Sequence, residues 1–459
     1  MQRDLAPGSP APRDPNPRNP NTARPWTNWG RTATARPART ATPRDTNEAA
    51  EVIAAATRDG LRVRPIGSGH SFSAVASPES GVALDLQHFT GIVHADPATG
   101  LVTAHGGTPL HVLNAELDGL GLAMANLGDI DRQTLAGAIS TGTHGTGAGL
   151  GGLSTQVEAL DLLLADGSEV SCSAAENPEL FAAARLGLGA LGVITTVTLR
   201  CVPSFTLSAE EGPAPLEEVL GDFHGLAAAN DHFEFHWFPH SHHAMVKRNN
   251  RHPGPPRPLS PARHFLEYEV MENRLFGAVC GIGRAVPALV RPLSRLCAST
   301  WSARSYRDRS YRVFTTPRRI RFVESEYAFP REVVPEVLRE LRAATERLAD
   351  PVMFPVEVRV ARADDVWLST AHGRDTGYVA VHQYLGMPYR SYFDAFESIA
   401  RDAGGRPHWG KMHRLDATAL SGLYPRFTEF RQVRDSVDPG GIFHNAYLER
   451  VLGPVDNPN

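Results

Sequence analysis

Cysteine is scarce in this chain of 459 residues. The four that occur, Cys172, Cys201, Cys280 and Cys297, lie far apart without a CxxC pair, which argues against a zinc ribbon, a redox dithiol or a disulfide scaffold. They read as free thiols of a reducing compartment, and so point to the cytoplasm. Long apolar runs are also missing: nothing approaches the ~18 residues of a membrane span, and the N-terminus lacks the apolar stretch of a secretory signal. Neither sign of charge is in excess. A net charge of −4 offers nucleic acid no electrostatic footprint, so a small-molecule ligand is expected.

What is present suits a large globular protein. The length exceeds the size at which one core usually stops growing, and two domains follow. Residues 1–26, rich in Pro, Asn and Arg, cannot bury enough apolar surface to order and read as a disordered tail. A helix is predicted from Asp45 to Ala56 with Asp45 as cap, and another over Pro109–Gly121. Strands are predicted at Leu61–Ile66, Gly81–Leu86 and Leu101–Gly106, with a hairpin turning at Asp166-Gly167. The mixture is α+β. Composition changes after Arg200, which divides the chain into a first domain over 27–203 and a second over 204–455; a Pro- and Arg-rich insertion runs from His252 to Arg263.

Two motifs invite functions the residues do not support. GLGALG, Gly187 to Gly192, fits the dinucleotide fingerprint GxGxxG, but it follows a helical segment and precedes a strand, the reverse of the order that brings phosphate to a helix N-terminus. Helix termination is the better reading. Histidines 232, 236, 240, 242 and 243 crowd together, yet their spacing is that of a strand and no ligand set is completed, so no metal is expected. The turn PIGSGHSFS, Pro65 to Ser73, offers unhindered backbone N–H groups around one imidazole, and alone it is no more than a turn. A second Gly/Thr cluster, AGAISTGTHGTG from Ala136 to Gly147, adds another set of donors. Two such loops imply a large, multiply charged cofactor.

Together these loops resemble the FAD-binding domain of the vanillyl-alcohol-oxidase-type flavoenzymes, specifically the aldonolactone oxidase and alditol oxidase branch, from about Asn28 onward. The resemblance implies a two-domain fold: an FAD-binding domain, then an antiparallel-sheet substrate domain whose C-terminal segment closes over the flavin. It implies FAD joined covalently to His70, with contacts from Pro65, Ile66, Gly67, Ser68, Gly69, Ser71, Gly128, Asp129 and Thr134. Further contacts are implied at Gly137, Ile139, Ser140, Gly142, Thr143, His144, Gly145, Val193, His408 and Lys411.

In FPVEVR, Glu357 and Arg359 stand two apart and share one face of a strand; a salt bridge and a substrate site fit equally well until the resemblance favours the second. Lys411 in HWGK, which reads equally as a solvated loop charge, and His382 in AVHQYLG join them on the same ground, with Thr134 and Tyr384 on substrate. The implied reaction oxidises a secondary alcohol by hydride transfer to flavin. Glu357 accepts the hydroxyl proton in relay with Lys411; Arg359 and Lys411 stabilise the reduced flavin, and His382 orients substrate. FVESEYAFP, DHFEFHWFPH and Tyr384 resemble the lactone branch and favour an aldono-1,4-lactone of the L-gulono or D-arabinono type over an alditol; a larger glycosidic substrate, admitted by the Pro- and Arg-rich insertion, is the alternative, and a flavin-binding module without activity fits the catalytic set poorly. Gly128 is compatible with O2 as electron acceptor, and a cytochrome- or dye-type acceptor remains open.

Overall fold

A computed structural model describes residues 23–456. The tail expected at 1–22 lies outside the described residues. Trp26, assigned by sequence to that tail, instead pairs with Ala35 in a two-stranded ribbon, Trp26–Thr27 against Thr34–Ala35. Its indole has a cavity wall to cover, which its Pro-rich neighbours in sequence do not.

The first helix spans Thr46–Arg58; Asp45 caps it by accepting the Glu48 amide at 2.9 Å, and Ala49, Ile53 and Ala56 recur at helical spacing to form its buried face. That face packs on a parallel three-stranded sheet of Arg39–Ala41, Val82–Asp85 and Val63–Ile66. Pro65 is tolerated there because its strand is an edge. Beside it stands an antiparallel five-stranded sheet in the order Glu169–Ser173, Val157–Leu163, Val193–Arg200, Leu101–His105, Ile92–Asp96. The Asp166-Gly167 turn closes its hairpin with Gly167 at φ +85°.

From Thr206 the chain builds an eight-stranded antiparallel sheet: Arg304–Arg309, Thr206–Pro215, His243–His252, His232–Trp237, Val356–Ala361, Thr376–Tyr384, Phe322–Pro330, Arg406–Pro407. Its register puts Arg304, Glu211, Lys247, Glu234 and Arg359 opposite one another across five neighbouring strands, alternating in sign. Opposite charges in facing positions satisfy each other where water is excluded. The Pro- and Arg-rich region leads into a helical insert, including Phe276–Ala285 and Val290–Ser299, laid against this sheet.

Candidate active site

Two cavities meet at His70, Ser71, Gln133 and Thr141. The first is a cleft walled by Pro65 through Ser71, Thr134, Gly137, Ser140 and, from segments the sequence left aside, Gly106, Gly107, Gly189 and Gly192. The two glycine loops touch: a Cβ on Gly67 would lie 2.5 Å from Thr134 Oγ1, whose hydroxyl caps the helix Leu135–Ser140 by accepting the Gly137 amide at 3.3 Å. Gly69 adopts φ +68°, which a β-carbon would strain, and its carbonyl accepts the Trp29 amide at 2.7 Å. This turn presents His70 with its ring stacked on Trp29. Arg64 fixes the opposite wall by donating to the carbonyls of Leu188, Gly189 and Phe443. The helix-to-strand order around Gly187–Gly192 is as expected, yet Gly189 and Gly192 still line the cofactor cleft.

The second cavity gathers the charged and imidazole side chains that the sequence singles out. Glu357, Arg359, His382, His408 and Lys411 all line it, with Gly128, Asp129, Thr143 and His144. Three elements converge to make it. The strand Val356–Ala361 presents Glu357 and Arg359; its neighbour His232–Trp237 places His236 opposite Glu357; and the strand Phe322–Pro330, buried from Phe322 to Phe329, places Glu324 opposite His382. The HWGK turn is stitched both to the glycine turn and to the eight-stranded sheet. Gly410 O accepts the amides of Phe72 and Ser73 at 2.6 and 3.2 Å, while His408 and Met412 donate their amides to Glu326 O and Glu324 O at 3.0 Å each.

Every charge here is paired. Arg359 Nη2 stands 2.5 Å from Glu357 Oε1 in a salt bridge and its Nε donates to Glu234 at 3.0 Å, while His236 Nε2 lies 3.3 Å from Glu357 Oε1. Burial disfavours the Glu357 carboxylate, but Arg359 and then His236 outweigh it and hold its pKa well below the usual range. Lys411 contacts Glu324 and stands 3.7 Å from Glu326. Burial opposes its charge, and those two carboxylates more than restore it, so its pKa rises. Glu326 also meets His144 Nε2 at 2.6 Å. His408 accepts the Gly410 amide through Nδ1 at 3.0 Å, and burial above all depresses it to about 4, leaving it neutral. Two groups, His144–Glu326–His408 and Glu234–His236–Glu357, have metal-ligand side chains close together, but their carboxylates already hold cations: Lys411 at Glu326, Lys247 and Arg359 at Glu234, Arg359 at Glu357.

Five of the expected contact positions lie off the walls of both cavities. Ile139 and Val193 are fully buried in hydrophobic cores, and Gly142 turns at φ +79° against Leu186. Gly145 lines a smaller polar chamber behind Arg359. Tyr384 lies parallel to Phe354, ring centroids 6.3 Å apart, and Phe354 is the residue that reaches the cavity. Conversely, Glu324, Glu326 and His236 line the cavity although the sequence reading gave them no role. Their signal was present: Glu324 and Glu326 stand two apart in a strand otherwise apolar or small, the same pattern that picked out Glu357 and Arg359.

The cleft fits FAD on its own features. His70 Nδ1 is buried without a hydrogen-bond partner, and the wall beside it is glycine-lined, with Gly67, Gly106, Gly107 and Gly192 so close to neighbouring residues that only glycine fits there. Residues 37–173 match the family described as FAD binding domain, and residues 197–451 the family described as D-arabinono-1,4-lactone oxidase. An L-gulono-1,4-lactone dehydrogenase of Mycobacterium tuberculosis is 42% identical over 94% of this chain and 99% of its own. The L-gulonolactone oxidase of Bos taurus is 37% identical over 93% and 97%. A cholesterol oxidase from B. sterolicum, 17% identical, superposes with TM-score 0.80 over 97% of this chain and 100% of that one, which shows a shared fold. Fold and cleft thus define an FAD-linked oxidoreductase of the vanillyl-alcohol-oxidase type. Within that class, the chain belongs to the D-arabinono-1,4-lactone oxidase family.

Proposed function

We propose that this protein oxidises a secondary hydroxyl of an aldono-1,4-lactone, of the L-gulono or D-arabinono type, using FAD bonded covalently to His70. The observation that carries this reading is the single cavity in which Glu357, Arg359, His382 and Lys411 surround a space opening onto His70. Bound FAD would take two electrons and one proton from the substrate carbon as hydride, leaving a ketone and one hydroxyl proton. Glu357 accepts the hydrogen bond of the reacting hydroxyl and draws off its proton. Arg359 and Lys411 keep positive charge on the wall against the negative charge that develops, and His382 orients the substrate.

His70 suits its role because burial first, with Arg132 and Lys411 adding to it, depresses its pKa to about 4, so the imidazole is an unprotonated nucleophile at neutral pH. Gly128, lacking a side chain in the cavity wall, supports O2 as electron acceptor. Four unpaired cysteines suit the cytoplasm. The test is anaerobic mixing of the yellow holoenzyme with L-gulono-1,4-lactone, D-arabinono-1,4-lactone and xylitol. We expect the lactones to bleach the flavin and air to restore it, and faster bleaching by xylitol would make the enzyme an alditol oxidase. After acid precipitation the colour should stay in the pellet for wild type and move to the supernatant for His70→Ala; release from both would show the flavin to be unattached.

A further inference from the structure

Two neighbouring strands put four titratable side chains in a square. Glu234 and His236 stand two apart on His232–Trp237, so they share a face, and they lie opposite Arg359 and Glu357 on Val356–Ala361. The corners are not equivalent. His236, Glu357 and Arg359 line the catalytic cavity, whereas Glu234 lines the smaller chamber behind it, with Lys247 and Glu211. Arg359 borders both spaces, so its guanidinium is the partition between them.

A guanidinium is a rigid plane with five N–H donors, and on a carboxylate it readily uses two of them at once. Arg359 is kept from doing so. Its Nε donates to Glu234 Oε2 at 3.0 Å while Nη2 meets Glu357 Oε1 at 2.5 Å, so the edge formed by these two nitrogens is shared between two carboxylates instead of clamping one. His236 also makes its closest approach to Glu357 at Oε1, 3.3 Å away. Both partners gather at one oxygen, which leaves Oε2 for a ligand.

Glu234 is fixed in turn. Its Oε1 takes the Lys247 ammonium at 3.2 Å from the strand on its other side, and the Lys247, Glu234 and Arg359 side chains are 11 to 14% exposed. Burial disfavours the Glu234 carboxylate, but Lys247 and then Arg359 outweigh it and hold its pKa below the usual range. Asp129 borders both spaces as well, yet it is taken up by Arg318 at 2.8 Å. Glu234 is thus the carboxylate that competes with Glu357 for Arg359.

We propose that Glu234 is a positioning residue of the substrate site: by holding Arg359 Nε from behind, it keeps the guanidinium from clamping both oxygens of Glu357 and frees one of them for the reacting hydroxyl. The inference rests on the reading of Glu357 as proton acceptor. Without Glu234, the edge of Nε and Nη2 turns onto Glu357 and the acceptor becomes a closed ion pair.

The test compares two charge-matched holoenzymes, Glu234→Gln with Lys247→Met and Glu234→Met with Lys247→Met. Both lose the same two charges at similar volume, a replacement that buried ion pairs tolerate, and they differ in the oxygen offered to Arg359. Each is mixed anaerobically with whichever of L-gulono-1,4-lactone, D-arabinono-1,4-lactone and xylitol reduces wild type fastest. We expect the limiting rate of flavin reduction to be about 10²-fold lower in the Met pair than in the Gln pair, with Kd equal within roughly twofold. A crystal structure of the Met pair should show Arg359 bidentate on Glu357. Flavin absorbance verifies each fold. Glu234→Asp, which keeps the charge beside Lys247 but draws the oxygen back from Arg359, should be slow in the same way and decides if the Met pair loses flavin. Equal limiting rates, a loss confined to Kd, or an unmoved Arg359 overturns the proposal. Glu357→Gln measured alongside separates the two failures. Reduction at the wild-type rate removes the acceptor reading and this inference with it, whereas a slow Glu357→Gln beside two equally fast pairs removes only the role of Glu234.

Discussion

In the proposed reaction Glu357 takes the proton in a setting that resists protonation, since Arg359 and His236 hold its pKa well below the usual range. A carboxylate so held is an orienting acceptor that must pass its proton on, not a reservoir for it. Glu357→Gln preserves volume and removes the charge, so flavin reduction by lactone should slow by about 10²–10⁴-fold. Anaerobic stopped-flow measures this directly, and reduction at the wild-type rate would take Glu357 out of the proton path. At this scale the sequence was legible where a motif is local. His70 sits in a five-residue turn, and the structure places it between both cavities. Legibility failed where a wall is assembled from distant segments: nothing near Tyr384 announces that Phe354 stands between it and the cavity.

Among elements, the strand Phe322–Pro330 does most to organise the site, because it carries two carboxylates at 3 and 5% exposure to meet one ammonium. Removing one partner of such a buried set leaves the other uncompensated. Glu324→Gln should therefore destabilise the protein by about 3 kcal/mol, and Lys411→Met added to it should recover a good part of that loss. Urea unfolding of the two single variants and the double variant measures the coupling; strict additivity would mean that the pair is not energetically linked. The elements themselves were partly readable. Asp45 caps its helix as the sequence indicated, whereas the insert after His252 was read only as Pro- and Arg-rich. Its prolines obscured the helical pattern, although Pro287 and Pro292 both sit in first turns, where the missing N–H costs little.

For the whole molecule, the decisive titrations are those of imidazoles kept neutral. Burial lowers His408 and His444 to about 4 and His413 to about 3, with neighbouring cations contributing to each. An unfolded chain binds these protons below about 6.5, and the folded chain only below the depressed values, so the unfolded state gains protons first. Stability should fall as pH drops from about 6.5 toward 4. The depressed carboxyls, Glu357 and Glu326 among them, contribute their own losses only at lower pH. Thermal melting of the holoenzyme should shift down by several degrees across that window, and a flat profile would contradict the assignment. Segments far apart in sequence also meet. Ile442 O accepts the Val63 amide at 2.7 Å, Phe443 O accepts Arg64 at 2.8 Å, and Asn445 Nδ2 donates to the carbonyls of Ala74, Val75 and Ser77. The strand that leads into the His70 turn is thus braced from 379 positions away in sequence, so this wall of the cleft depends on closing a very long loop and should be among the later parts of the fold to form.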